Sequence, residues 1–356
     1  MHDTLPPSSV LHQLRGEALY RQRRIAAAEA SFAQALAQGA EPESMAQSRW
    51  MCAMLRGDFE SAWRISDAVL AARAGRDCAH LPHHLRWVWD GTPLAGRRVL
   101  VRCYHGLGDT LQFIRLAPLL KQICPFVAIE AQPELLPLLA SAPGVDALVP
   151  LDGAVPPHDV AIESMELPHA LRLTLAAVPT EVPYLAVPPA LVGAARRHVA
   201  AADGRLKVGI AWAAGAWKPE RSVPSAQLIQ LNALPHIALY NLQRGPALAA
   251  ADALQFATRE GESDDILETA ALVTHLDVIV TIDTMVAHLA GALGRPVWTL
   301  LHYEADWRWM LAREDSPWYP TMRLFRQTSP GAWQPVIDRI VAALARMRPQ
   351  GVTFDC

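Results

Sequence analysis

The chain has 356 residues, of which 51% are hydrophobic and 19% are charged, and its formal net charge is −3. This length predicts two or three domains rather than a single core, and the composition excludes a disordered chain. The charge balance argues against nucleic acid or an anionic membrane surface as the main partner.

The first part of the chain predicts helices only. Residues 10–75 are rich in Ala, Leu and Arg, and their apolar residues recur at helical spacing. Ile25 recurs as Phe59 at an offset of 34 residues, which is the period of tetratricopeptide helical hairpins. A generic helical extension fits equally well, so both interpretations stay open. In either case we expect residues 1–80 to form a separate helical segment.

From residue 81 the pattern changes to strands that alternate with helices. The predicted strands are "RVLVRCY", "FVAIEA", "ALVPL" and "HDVAIES", and the helices between them include "TLQFIRLAPLLKQI" and "PELLPLLASAPG". Such alternation is typical of a parallel sheet covered by helices. We therefore predict a first Rossmann-like domain over residues 81–190, which would bind the acceptor.

A proline-rich passage, "VPTEVPYLAVPPALVG", precedes a second run of the same kind. Its strands are "LKVGIAWA", "IALYNLQ", "DVIVTID" and "PVWTLL", with helices such as "DDILETAALVTHL" and "TMVAHLAGAL" between them. We predict a second Rossmann-like, donor-binding domain over 191–330. A C-terminal helix follows in 331–356, and its packing back on the first half is left open. The fold class is therefore α/β, and the ligand is expected in the cleft at the carboxyl ends of the strands.

The cysteines and the first residues bear on the compartment. The five cysteines are odd in number and lack C-x-x-C spacing, which favours reduced thiols over a disulfide framework or a zinc site. The opening "MHDTLPPSSV" lacks the layout of a signal peptide, and no apolar run reaches the ~18 residues of a membrane span. We therefore expect a cytoplasmic protein with no transmembrane segment.

The loop "HGLGDT" follows the first strand of the first half. Gly106 and Gly108 permit a tight turn and a close approach of the backbone. The loop lacks the third glycine of a dinucleotide-binding fingerprint, and the chain has no G-K-[ST] phosphate loop. Asp109 stands where a helix should begin. It is either a helix cap, which the local residues favour, or a base beside a bound ligand.

A more specific motif, "DTMVAH", begins where a buried strand ends at Asp283. The N–H groups of a helix that starts at Thr284 or Met285 can bind a diphosphate, and the Thr284 hydroxyl can add a hydrogen bond. His288 lies one turn further along. The alternative is an ordinary strand–helix connection with a histidine in the core.

Two cations and several larger side chains complete the candidate site. "AWAAGAWKPERS" carries Lys218 and Arg221 after the first strand of the second half, where they either neutralise a departing diphosphate or are simply solvated. Aromatic walls with a few polar anchors suit a sugar or a base, and buried aromatic residues that pin a long loop are the alternative. The candidate wall residues are Trp212, Gln243, Asp306 and Trp307.

Four segments, in this order, resemble the family 9 (heptosyltransferase-like) glycosyltransferases: "GLGDTLQFIRLAPLLK", "VGIAWA", "LVTHLDVIVTIDTMVAHLAGALGRPVW" and "DWRWMLAREDSPWYPTMRLFRQ". The resemblance covers roughly residues 97–345 and is greatest to the bacterial branch with N-terminal tetratricopeptide repeats. It implies a GT-B fold, which has two Rossmann-like halves. It also implies inverting, metal-independent transfer from a nucleoside-diphosphate sugar, with no cofactor and no metal site.

The resemblance also implies roles for individual residues. Asp109 matches the catalytic base of the family. Lys218 lies near the cation of the family, but the loop differs in length, so Lys218 and Arg221 remain alternatives. The residues that match the diphosphate-binding segment of the family are Asp283, Thr284 and His288.

The sequence therefore predicts a glycosyltransferase that moves a sugar from a nucleotide-sugar donor to an acceptor hydroxyl. The helical segment favours a protein or peptide acceptor by analogy, and no nucleic acid is expected as a partner. Two alternatives stay open: a catalytically inactive GT-B-like adaptor that binds proteins through its helices, and a sugar-nucleotide epimerase. The sugar, the base and the acceptor are not specified by these patterns.

Overall fold

The computed structural model describes residues 7–199, 202, 204–215, 218–248, 254–257 and 263–348. The chain divides into two compact units. The first unit comprises residues 1–82, 168–178 and 304–313, and the second comprises residues 83–167, 179–303 and 314–356.

The first unit is built on four helices: α1 (Ser8–Arg21), α2 (Ile25–Ala37), α3 (Ala46–Arg56) and α4 (Phe59–Arg73). α1 packs against α2, and α3 packs against α4. Gly16 allows the first of these close crossings, because a Cβ there would lie 2.5 Å from the Phe32 ring. α2 and α4 begin at Ile25 and Phe59, the two residues related by the 34-residue offset. The predicted helical segment is confirmed, and its assignment to the tetratricopeptide class stays a prediction.

The two loop segments of this unit are fixed on the helices by buried tryptophans. Trp63 Nε1 donates a hydrogen bond to the Leu173 carbonyl at 2.7 Å. The Trp50 ring lies edge-on to Trp307, with ring centroids 5.4 Å apart. The sequence patterns did not predict that loops from the α/β region would complete the helical unit.

The second unit contains two parallel sheets, each flanked by helices. The first sheet has the strand order β3-β2-β1-β4, and the second has the order β6-β5-β7-β8-β9. The first region comprises β1 (Arg98–Arg102), α5 (Leu107–Phe113), α6 (Ala117–Ile123), β2 (Phe126–Ala131), α7 (Leu136–Leu139), β3 (Ala147–Pro150) and β4 (Val160–Glu163). The next helix, α8 (Leu167–Ala170), belongs to the first unit from Pro168 onward. The second comprises α9 (Pro189–Val199), β5 (Leu206–Ala211), α10 (Ser225–Leu228), β6 (Ile237–Asn241), α11 (Ile266–Val273), β7 (Val278–Ile282), α12 (Met285–Ala292), β8 (Val297–Leu301), β9 (Met322–Arg326) and α13 (Gln334–Arg346).

The predicted α/β class is confirmed, and burial explains why the central strands could be predicted from the sequence. β7 is buried along its whole length and reads "VIVTI", as expected for a central strand covered on both faces. Both sheets lie in the second unit, so the division into units does not separate the two predicted sheet domains. The boundaries after residues 80, 190 and 330 stay predictions.

The final helix packs on the second sheet. Val336, Ile337, Ile340 and Leu344 of α13 are buried in one cluster with the side chains of β5, β6 and β7. The sequence left open whether this helix returns to the first half, and its buried face belongs to the core of the second sheet. Residues 349–356 lie outside the described part of the chain. None of the described helices is long and apolar enough to cross a membrane.

Candidate active site

The loop after β1 places Asp109 in the first turn of α5. Asp109 Oδ2 accepts a hydrogen bond from the Gly106 N–H at 2.9 Å, and the Gly106 carbonyl accepts from the Asp109 N–H at 3.0 Å. Asp109 is therefore the third residue of α5, and its side chain caps the helix start by accepting from the N-cap residue Gly106. The same contact fixes a half-buried carboxylate at the carboxyl end of β1.

The segment of residues 106–109, called the Gly-Asp loop below, lies directly against the start of α12. A Cβ on Gly108 would come within 2.7 Å of His288 Cδ2 and 3.5 Å of the Met285 Cα. Any side chain at position 108 would push the two segments apart, so this contact requires glycine. The structure thus brings together two motifs that are about 180 residues apart in the sequence.

Asp283 follows β7 and contacts Arg221, a cationic residue of the loop after β5. Arg221 Nη1 donates to the Asp283 carbonyl at 3.2 Å and lies 3.7 Å from the Asp283 Oδ2. Arg221 ends a short 3₁₀ turn (Pro219–Arg221), and Lys218 precedes that turn. Of the two candidate cations, it is Arg221 whose guanidinium contacts Asp283. The Arg221 side chain remains 22% exposed, so its charge can still act on an anion in the cleft.

Thr284 is the residue before α12 and has an extended backbone. Its hydroxyl lies 3.4 Å from the Thr281 hydroxyl. Among the described residues, it makes no capping hydrogen bond to the first turn of α12. The first N–H groups of α12 therefore receive no side-chain cap from Thr284. A helix end of this kind attracts an anion because the N–H groups and the helix dipole both favour negative charge.

His288 is held by Tyr319, a contact that the sequence patterns did not predict. Its Nδ1 lies 2.9 Å from the Tyr319 hydroxyl, and its Nε2 lies 4.0 Å from Asp283 Oδ1. Tyr319 is fully buried, and Gly291 makes room for its ring, since a Cβ on Gly291 would lie 2.4 Å from Tyr319 Cδ1. No spacing rule connects positions 288 and 319.

Comparison with known proteins gives a relative and a fold. No protein-family model matches the chain. Protein FlbA of Caulobacter vibrioides is 26% identical over 289 residues, which cover 72% of this chain and 48% of FlbA. The chain thus spans about half the length of this curated relative.

Among solved structures, a family 9 glycosyl transferase from Veillonella parvula superposes with a TM-score of 0.51 at 12% identity, over 66% of this chain and 87% of that one. The fold is GT-B. The E. coli ADP-heptose LPS heptosyltransferase II gives a TM-score of 0.48 at 15% identity, over 69% of this chain and 98% of that one. Below, the first GT-B half is the region of β1–β4 and the second GT-B half is the region of β5–β9.

Two of the candidate wall residues shape the second GT-B half from within. Trp212 is buried in the core of the second sheet. Gln243 accepts hydrogen bonds from the N–H groups of Trp212 and Ala213 at 2.9 and 2.8 Å, and donates to the carbonyls of Ala213 and Arg244 at 3.2 and 2.8 Å. These four bonds use the whole hydrogen-bonding capacity of an amide. Gln243 therefore positions the loop after β5 rather than offering its amide to a ligand.

Asp306 and Trp307, the other two candidates for this wall, belong to the first unit. Asp306 Oδ1 accepts from the Arg308 N–H at 3.0 Å and from Arg308 Nη1 at 2.8 Å. Trp307 is buried and packs on Trp50. These contacts are those of a loop pinned by buried aromatic residues, which was the alternative for this segment.

A cavity of about 210 Å³ lies at the carboxyl end of β6 in the second GT-B half. Its lining includes Asn241 and Gln243 from the strand end, Leu272 from α11, and Ser263 and Thr269. Arg244 also lines it and is fixed there, because its guanidinium donates to the Asp265 carbonyl at 2.5 Å and to the Thr269 hydroxyl. The lining combines apolar and hydrogen-bonding groups, as small-molecule pockets do.

Glu163 is a buried carboxyl group at the end of β4, on the first GT-B half. Its Oε2 accepts from the Met165 N–H at 2.6 Å, its Oε1 accepts from the Ser164 hydroxyl at 2.9 Å, and His105 Nε2 lies 3.8 Å away. Burial, with a smaller contribution from the negative charges of Glu166 and Asp109, raises the pKa of Glu163 to about 7 against the effect of its hydrogen bonds. No sequence pattern singles out this residue, because it ends an ordinary buried strand.

Glu163 should make the protein less stable as the pH rises. The folded protein keeps the Glu163 proton up to about pH 7, whereas in the unfolded chain this carboxyl ionises near its ordinary pKa of 4.5. This contribution is therefore complete below pH 4.5 and is lost as the pH rises through 7, at a cost of about 3 kcal/mol. We expect Glu163→Gln to remove this part of the pH dependence, measured by urea unfolding at pH 5 and pH 8. Glu134→Gln, at an exposed position of the same half, is the control. Equal losses between pH 5 and pH 8 in Glu163→Gln and wild type would contradict the assignment.

Proposed function

We propose that the protein is an inverting, metal-independent glycosyltransferase that moves a sugar from a nucleoside-diphosphate donor to an acceptor hydroxyl. The observation that carries this proposal is the contact between Gly108 and His288. Through it, the loop that holds Asp109 on one GT-B half meets the start of α12 on the other half, and Arg221 contacts Asp283 two residues before that helix. The GT-B fold and the ordered motifs of the family 9 glycosyltransferases support the same function.

The donor would lie along the carboxyl ends of the strands in the second half. The N-terminus of α12 and the positive charge of Arg221 are the features that suit its diphosphate, because both favour an anion. The cavity at the end of β6 suits the base. Its hydroxyl and backbone groups can form hydrogen bonds with ring nitrogens, and its apolar side chains can contact the ring faces. This arrangement would leave the sugar at the junction of α5 and α12, beside Asp109.

The proposed reaction is a single displacement at the anomeric carbon. Asp109 takes the proton of the acceptor hydroxyl as the acceptor oxygen forms its bond to that carbon. The bond between the anomeric carbon and the diphosphate oxygen breaks, and its electron pair leaves with the nucleoside diphosphate. Arg221 and the α12 N–H groups stabilise the negative charge that develops there, which is often the largest single contribution to catalysis. Attack from the face opposite the leaving group inverts the anomeric configuration.

The proposal includes a protein or peptide acceptor and a cytoplasmic site of action. The helical unit offers a groove of about 380 Å³ between α3 and α4, lined by Arg49 and Arg64 beside the apolar side chains of Ile65 and Val69. A groove of this kind can receive an extended or helical peptide segment. The tetratricopeptide-like period of the helices favours the same role by analogy.

Calorimetry against ADP, GDP, UDP, CDP and dTDP tests the proposal. We expect one of these nucleoside diphosphates to bind with a Kd between about 1 μM and 1 mM, the range of most enzyme KM values. The corresponding monophosphate should bind more weakly, because it lacks the second phosphate for Arg221 and the helix end. A protein that binds none of the five would be an adaptor rather than a transferase. A protein that converts the donor sugar without any acceptor would be an epimerase.

A further inference from the structure

Arg115 is a buried cation at the junction of the two GT-B halves. It lies in a 3₁₀ turn (Ile114–Leu116) after α5 and is 4% exposed. Its Nη1 donates to the Pro179 carbonyl at 3.2 Å and to the Trp318 carbonyl. Its Nε and Nη2 are buried and have no hydrogen-bond partner among the described residues. Burying a charge in this way is costly, so the position calls for an explanation.

Two tyrosine rings enclose the Arg115 guanidinium. Its Cζ lies 4.5 Å from the ring centroid of Tyr184 and 4.3 Å from that of Tyr319. The negative faces of both rings attract the cation, and the attraction is stronger where water is excluded. A cation on the face of a phenol draws electron density from the ring, which makes the hydroxyl a better hydrogen-bond donor. Of these two hydroxyls, that of Tyr319 lies against His288.

The direction of one hydrogen bond decides which nitrogen of His288 carries the proton. The Tyr319 hydroxyl and His288 Nδ1 are 2.9 Å apart. If Tyr319 donates, Nδ1 is the acceptor and a neutral His288 carries its proton on Nε2. Nε2 is the nitrogen that lies 4.0 Å from Asp283 Oδ1, and it would be 3.5 Å from a Cβ on Gly108. The Nε2–H would therefore lie at the junction of the two halves.

We propose that Arg115 and Tyr319 are positioning residues, which hold His288 in the tautomer that presents its Nε2–H to the donor substrate. The ligand in this statement rests on the proposed function, whereas the tautomer does not. Arg115 strengthens the Tyr319 hydroxyl as a hydrogen-bond donor, and Tyr319 orients His288. Of these three residues, His288 is the one that contacts the donor substrate. Gly291 belongs to the same arrangement, because the close approach of the Tyr319 ring to α12 depends on it.

Nitrogen NMR of the histidine rings tests the tautomer without any ligand. In the ¹⁵N-labelled full chain, the His288 signals are those that disappear in His288→Gln, among 13 histidines. We expect the Nε2–H form in wild type and a mixture of both tautomers in Tyr319→Phe, which loses the hydroxyl and keeps the ring. The control is Tyr184→Phe, which removes the hydroxyl of the other tyrosine that encloses Arg115. That hydroxyl donates to the Leu111 carbonyl at 2.8 Å. An Nδ1–H form in wild type, or an unchanged tautomer in Tyr319→Phe, would overturn the proposal.

Calorimetry with the nucleoside diphosphate that binds wild type separates this inference from the proposed function. Loss of a well-oriented donor should weaken binding about tenfold in Tyr319→Phe and in Arg115→Met, and less in Tyr184→Phe. Arg115→Lys keeps the charge and should recover part of the loss. If wild type binds no nucleoside diphosphate, the proposed function fails while the NMR result still decides the tautomer. If wild type binds one and Tyr319→Phe binds it equally well, the positioning role is wrong.

Discussion

Replacing Asp109 by asparagine should lower the rate of sugar transfer at saturating substrates by about 10²–10⁴-fold, the usual contribution of a general base. The amide cannot accept the proton of the acceptor hydroxyl, so the attacking oxygen stays a weak nucleophile. Binding of the nucleoside diphosphate should change little, because Arg221 and the α12 N–H groups are intact. Turnover numbers from initial rates, together with calorimetry of the same preparation, separate the two effects.

Asparagine is a sharp test here because it can keep the structural role of Asp109. Its side-chain oxygen can still accept the Gly106 N–H that Asp109 Oδ2 accepts at 2.9 Å, so the start of α5 should stay folded. Asp58→Asn is a matched control, since Asp58 caps α4 in the helical unit by accepting the Ser61 N–H at 3.0 Å. We expect that variant to keep its activity within about twofold, because it lies outside the site. Turnover of Asp109→Asn close to that of wild type would remove Asp109 from the role of base.

The central strands of the two sheets were predictable because they are buried on both faces, whereas the edge strand β3 has no buried residue. Central strands of this type need apolar residues at almost every position, and β7 satisfies that need over Val278–Ile282. The glycines of the Gly-Asp loop were also visible as a place of close approach. The partner in that approach, His288, was not predictable from the loop, because the contact is made across 180 residues.

The helical unit shows where local patterns fail. The aromatic residues of "EADWRWM" fit a sugar-binding wall and a pinned loop equally well in the sequence. The packing of Trp307 on Trp50 favours the second interpretation, and that contact joins positions 257 residues apart. The hydrogen bonds of Gln243 were not predictable for a related reason. Its four hydrogen bonds are made to the backbone near residues 212–213 and 244, and a strand-end amide gives no sign of such partners.

The choice between Lys218 and Arg221 was open for the same physical reason. Both are cations on one loop, and only the direction of the 3₁₀ turn (Pro219–Arg221) decides which of them reaches Asp283. The turn points Arg221 at the Asp283 carbonyl, with Nη1 at 3.2 Å. This contact turns an ambiguity of the sequence into a measurable difference between two variants.

Arg221→Met should lower kcat for sugar transfer by about 10²–10³-fold, the loss typical of removing one preorganised group that faces developing charge. Methionine keeps much of the length and packing of the side chain and removes the charge. Lys218→Met is the matched control and should cost less than about fivefold, because its cation is not the one that contacts Asp283. Initial rates as a function of donor concentration separate kcat from KM, and melting curves show whether each variant is folded.

The kcat of Arg221→Lys should fall between those of wild type and Arg221→Met, since lysine keeps the charge and loses the fork geometry of the guanidinium. A larger loss of kcat in Lys218→Met than in Arg221→Met would assign the diphosphate contact to Lys218, because charge stabilisation of this size requires a group held against the leaving oxygen.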